Sequence, residues 1–347
     1  MKNILFLNEK YGNWILKTTF SISFLIIAYY HLSSGFSMST DSARFSLWAD
    51  TLIKLNFNFF DFFLIEKTAI RPHLFFFSVP VLAIALCKII FVNNWQYVFL
   101  LFNLLLVFFS LMIFVKTLRK LDVRPIFISL SLPVIVISVD ILVWPKFILS
   151  DMIYAFFVLL ATYFIIKGIL KDKVYYLQLF LVIILLLASR PSSFPVIFSI
   201  IFFIFISKYQ FLFNSKIILL SLITLFISTP FVFSLLFSII ELNFNGARVD
   251  FIVNMVKAGT IIHDRPETWV DIPNNFIDVV NIYFLRLINF FNPYASTFSV
   301  VHIILNIIQL FVILLSILIW SLSSDVFKIS NKIFLFILSL SFFVEAF

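Results

Sequence analysis

The chain has 347 residues, 63% of them apolar and only 12% charged, with a formal net charge of +8 and a mean hydropathy of +1.13. These values exclude an ordinary soluble domain and point to a polytopic membrane protein, a single membrane-embedded domain over 1–347 with no soluble domain left over. Cys87 is the one cysteine, so neither a disulfide framework nor a thiolate metal site can be built.

In chain order, the first apolar run (14–32) follows Lys2 and Lys10 and lacks a small-residue cleavage site, so it reads as an uncleaved signal anchor. Further runs cover 74–92, 95–115, 125–143, 152–166, 174–189, 191–207, 217–240, 299–320 and 333–347, against the ~20 helical residues that cross a bilayer. If all of them spanned, the basic loops KTLRKLDVR (116–124) and KGILKDK (167–173) would lie opposite the N-terminus, against the positive-inside rule. If 74–92 instead lies in the interface, or dips in and returns, the N-terminus and every short basic loop share the cytoplasmic side. That side then holds fourteen basic and four acidic residues, against eleven and thirteen on the other. The expectation is an all-α bundle of about nine spans in the inner (plasma) membrane, and the wealth of Phe, Ile, Lys and Asn fits an AT-rich bacterial genome.

The first exoplasmic loop then runs from 33 to 94. Within it Phe45, Trp48, Leu52, Leu55, Phe59 and Phe62 recur at spacings of three and four, with Asp50, Lys54, Asn58 and Asp61 between them. That period predicts an amphipathic helix on the membrane surface, its aromatic stripe at headgroup depth and Asp50 four residues before Lys54 on the wet side. The preceding STDS stretch, with Asp41, reads equally as a helix cap or as a functional acid.

Other polar residues fall on the same predicted face. Asp140 lies about a turn inside its span, WPKFILSD (144–151) forms the next exoplasmic turn, and ASRPSS places Arg190 in a tight turn. The last long loop (241–298) holds Arg248, His263, Asp264, Arg265, Glu267, Asp271 and Arg286. Singly, Ser150 and Asp151 read as caps and Arg190 as an arginine reaching to headgroups. Together, acids and arginines converge from four loops on one face while the cytoplasmic loops are short and merely basic, which is the asymmetry of an enzyme working at the exoplasmic interface.

These features resemble, in their order, the GT-C superfamily of integral membrane glycosyltransferases, which includes protein O-mannosyltransferases and lipid A aminoarabinose transferases. The resemblance runs over nearly the whole chain and rests on arrangement: an acid soon after the first span (Asp41), surface helices in a long first loop, RPHLFFF beside the family's HPPLYY-type stretch, the acidic turn ILSDMIYAFF, and the Arg-bearing turn LLLASRPSSFPVIF. Many members carry two adjacent acids after the first span, whereas Asp41 stands between Thr40 and Ser42. The sequence reaches Phe347 before a full last span, as a compact member or a partial chain would. The resemblance implies inverting transfer of a sugar from a polyprenyl-phosphate donor to an acceptor hydroxyl on a surface glycan, lipid or protein. It implies Asp41 as general base, Arg71, Arg190 and Arg265 around the donor phosphate with His73 and His263 as partners, and Asp151 with Asp140 at an acceptor or metal site. A divalent ion is the one cofactor left open, and the expected partners are the lipid-linked donor, membrane lipids and the acceptor, with no nucleic acid.

Two other readings stand beside it. An O-antigen or polysaccharide polymerase carries paired R-x10-G motifs, and Arg248 to Gly259 fits that spacing once. Against a lipid or solute transporter, the spans carry few intramembrane charges beyond Asp140 and show no Gly- or Pro-broken helices in matching halves of an inverted repeat.

Overall fold

The computed structural model describes residues 2–63, 72–136, 141, 144–170 and 175–190, with scattered positions from 193 to 311. The chain divides into two units, Met1–Phe63 with Leu74–Ser193, and Leu64–His73 with Phe194–Phe347. The first unit holds most of the described residues. Its described elements are helices: α1 (Lys2–Ser34), α2 (Thr40–Lys54), α3 (Phe59–Phe63), α4 (Pro72–Phe76, crossing the unit boundary), α5 (Ser78–Ile90), α6 (Trp95–Lys120) and α7 (Pro125–Val136), then a 3-10 turn (Trp144–Lys146), α8 (Asp151–Leu170) and α9 (Tyr176–Leu187).

Among the described residues, three helical segments are long and apolar enough to cross a membrane: Tyr11–Ser34, Trp95–Lys120 and Asp151–Gly168. The expected spans over 125–143 and 174–189 are seen as helix over Pro125–Val136 and Tyr176–Leu187, 12 residues each. The runs 217–240 and 333–347 lie outside the described residues, as do most positions of 191–207 and 299–320. On α1, exposed Tyr11 and Trp14 stand towards one end and Tyr29 and Tyr30 towards the other. At about 1.5 Å per residue, Trp14 and Tyr29 are about 22 Å apart and Tyr11 and Tyr30 about 29 Å. Aromatic pairs at that separation, with exposed Ile22, Leu25 and Ile26 between them, match interfacial belts on either side of a hydrocarbon layer.

Helices α1 and α7, separated along the chain by α6, run parallel. At one end Gly12 of α1 meets Pro125 at the start of α7, where an added Cβ would come within 3.3 Å of the proline; the absence of a side chain permits that approach. At the other end His31 Nε2 lies 3.0 Å from the Ile141 carbonyl, and the Ser37 N–H donates to the Lys146 carbonyl at 2.8 Å. Helix α7 packs along α1, α8 along α6, and α9 along α8.

The first loop departs from the single surface helix expected of it. Helix α2 stops at Lys54 because Asn56 and Phe57 turn left-handed, at φ 50° and 61°. A short side chain such as that of Asn tolerates this conformation, and a β-branched one resists it. Asn58 then opens α3: its Oδ1 accepts the Phe60 and Asp61 N–H groups at 3.1 and 3.3 Å, and its Nδ2 donates to Asp61 at 2.6 Å. The apolar stripe of α2 also goes elsewhere than headgroups. Phe45, Ala49 and Leu52 are buried, α2 packs on α5, and Phe77 sits 5.1 Å from the Phe45 ring and 5.9 Å from Trp48. Protein offers the stripe closer packing than a headgroup layer would. Asp50 reaches Lys88 of α5 at 2.7 Å in place of the expected Lys54.

Helix α5 is held at both of its ends by contacts with the same end of the bundle. With 13 residues it is about 20 Å long, short of a span. At its start the Val79 N–H donates to the Ala188 carbonyl, just past α9; near its end Lys88 stands 4.8 Å from the Trp95 ring, at the first residue of α6. The start of α6 and the end of α9 belong to the same end of the bundle, because Asn103 touches the turn before Asp151 and Asp151 touches Arg190.

Candidate functional site

Asp151 and Arg190, 39 residues apart in sequence, form an ion pair in which Arg190 Nη1 donates to Asp151 Oδ1. Local structure places each partner. Asp151 is the first residue of α8, where its charge also meets the positive end of the helix. The turn before it is held from two sides. Asn103 Nδ2, buried in α6, donates to the Pro145 and Phe147 carbonyls at 2.9 and 3.2 Å, and the Ser37 N–H takes the Lys146 carbonyl between them. Arg190 follows α9, its own N–H donating to the Leu186 carbonyl at 3.3 Å and its carbonyl accepting from the Ser193 N–H at 3.1 Å. Ala188, two residues earlier, is tied to α5. The Asp151 side chain is 18% exposed and that of Arg190 40%, so the carboxylate is mostly covered while the guanidinium keeps an open side. One of its five N–H donors is engaged with Asp151, and the planar fork has others for an anion.

Asp41 is placed differently. The cap of α2 is Ser39, whose Oγ accepts the Ser42 N–H at 3.1 Å; Asp41 sits inside the first turn. The capping half of its two readings therefore passes to Ser39. Among the described residues Asp41 pairs with Arg44 at 3.4 Å, both side chains well exposed at 64% and 56%, and it is not in contact with the Asp151–Arg190 pair. A packed path does connect them: Phe45 on Phe77, then Val79 on Ala188, two residues from Arg190. Beside their local readings as a cap and as an arginine near headgroups, Asp151 and Arg190 are joined to each other. Arg71, Asp140, His263 and Arg265 lie outside the described residues, as does the His73 side chain.

Among the described residues no three His, Cys, Asp or Glu side chains gather as a metal centre would need, and Asp151 Oδ1 is already engaged by a guanidinium. Three further residues are fixed by long-range contacts: Asn103, Lys88 and His31. Each is an isolated polar residue within or at the end of an apolar run. That isolation is the signal that marks them, since a polar side chain in such a run needs a specific partner. His31 Nδ1 and Asn103 Oδ1 are buried and have no partner among the described residues. Comparison with known protein families, curated proteins and solved structures finds no match for this chain.

Proposed function

We propose that the chain is a membrane glycosyltransferase that moves a sugar, with inversion, from a polyprenyl-phosphate donor to an acceptor hydroxyl at the exoplasmic interface, in a bundle of about nine spans. The observation that carries the proposal is the Asp151–Arg190 pair at the end of the bundle that also bears α2 and α5. The opposite end bears Lys116, Arg119, Lys120, Arg124 and Lys167, and the positive-inside rule assigns such an end to the cytoplasm. The pair then faces outwards, near the level of Tyr29 and Tyr30, where the phosphate and sugar of a lipid-linked donor reside while its tail stays in lipid.

In this mechanism Asp151 orients Arg190, and the free donors of the guanidinium hold the donor phosphate. Asp41 takes the proton of the acceptor hydroxyl as its oxygen bonds to the anomeric carbon. The bond from that carbon to the phosphate oxygen breaks, and polyprenyl phosphate leaves with the electron pair, its charge stabilised by Arg190.

The test is transfer from a labelled polyprenyl-phosphate sugar by purified protein in lipid. Transfer to a single acceptor supports the proposal, whereas processive chain extension supports a polymerase and movement without covalent change a transporter. Asp41→Asn should lose about 10²- to 10⁴-fold in rate and remain folded, because Ser39 is the cap. Ser39→Ala should cost about 0.5–2 kcal/mol of stability and leave the rate of the folded fraction near wild type. Full activity in Asp41→Asn removes Asp41 as the base.

A further inference from the structure

We infer that Lys88 is a positioning residue that holds α2 in rotational register, and with it the Asp41 carboxylate; the catalytic half of this inference rests on the function proposed above. Lys88 is the only charged residue in the apolar run 74–92. Its side chain is 12% exposed, and a cation so covered is tolerated only when its donors are satisfied. They are: Nζ donates to the Ser46 carbonyl at 3.0 Å, to Ser46 Oγ at 2.8 Å and to Asp50 Oδ1 at 2.7 Å. The Trp95 ring lies 4.8 Å from the same nitrogen, so one ammonium joins α2, α5 and α6.

An apolar side chain at 88 would also bury well between these helices. Directional bonds add register, because greasy contacts such as Phe45 on Phe77 tolerate a helix rolling or sliding and three hydrogen bonds to fixed acceptors do not. The geometry of α2 makes register matter. Asp41 and Asp50 are nine residues apart, and at about 100° per residue they stand half a turn apart, on opposite edges of the stripe formed by Ser42, Phe45, Ala49 and Leu52. A roll that frees Asp50 from Lys88 swings Asp41 through the same angle. With side-chain tips about 5–6 Å from the axis, a roll of about 20° moves a carboxylate about 2 Å, and even about 1 Å of misplacement can cost about 10²-fold in rate.

The experiment pairs a structural measurement with a kinetic one, in Cys87→Ser protein reconstituted in lipid. Spin labels on Leu47→Cys and Asn94→Cys, both at exposed positions, report the α2–α6 distance by double electron–electron resonance. We expect one narrow distribution with Lys88, a broadened or displaced one in Lys88→Met, and recovery in Lys88→Arg. In unlabelled protein, Lys88→Met should lower kcat about 10²-fold at unchanged donor KM, since Arg190 is untouched, and Lys88→Arg should restore most of it. An unchanged distance distribution in Lys88→Met overturns the clamp. A broadened distribution with unchanged kcat per folded molecule overturns its catalytic consequence. If wild-type protein transfers no sugar, the proposed function falls, and the distance measurement still decides the clamp.

Discussion

Removing either member of the Asp151–Arg190 pair should destabilise the protein, and removing both should cost less than the sum. Fully exposed ion pairs contribute about 0.2–1 kcal/mol, while breaking a buried pair costs about 3–5 kcal/mol because a charge is left without a partner. With side chains 18% and 40% exposed, this pair falls between those limits. Asp151→Asn keeps an oxygen for the guanidinium to bond and loses only the charge assistance, about 1–2 kcal/mol. Arg190→Gln strands a largely covered carboxylate at about 2–3 kcal/mol. In the double variant two neutral amides can bond each other, at about 1–2 kcal/mol, which leaves a coupling of about 2 kcal/mol. The assay is the midpoint of heat-induced loss of monodisperse protein in one detergent. At roughly 2 °C per kcal/mol for a chain of this size, the singles should drop about 2–6 °C and the double variant no more than Arg190→Gln alone. Strictly additive drops would show that the two residues do not support each other and would refute this account of the site.

Two predictions concern the first loop. Cysteines at Asn93 and Asn94, both exposed between α5 and α6, should react in a Cys87→Ser background with membrane-impermeant thiol reagents from outside the cell; labelling only from the cytoplasm would mean that 74–92 spans. Cys87 itself should label slowly, because burial pushes its thiol pKa up and lowers the reactive thiolate fraction at any pH below that pKa. Its maleimide rate at neutral pH should fall below that of a free thiol and rise with pH past the point where a free thiol has levelled off; a profile matching free cysteine would contradict the burial.

Composition and periodicity determined the helical class and the apolar segments long enough to cross a membrane. These are properties of short windows, in which the transfer cost of each segment does not depend on its neighbours. Loop charges constrain the parity of the spans, and that is the argument against a span over 74–92. Tertiary structure decided what pairs with what. Asp50 with Lys54 is a sound helical expectation at i, i+4, yet it yields to Lys88, whose covered ammonium leaves less solvent between the charges. The α2 stripe faces α5 because a partner surface close enough to exclude water and lipid alike exists only after the chain folds back. Likewise the break at Asn56 and Phe57 interrupts a pattern whose apolar period runs through it unbroken. Asp151 and Arg190 each read locally as a cap or an interfacial cation; their union needs α8 and α9 side by side with Asn103 fixing the turn between α7 and α8, an arrangement set by packing that no local window encodes.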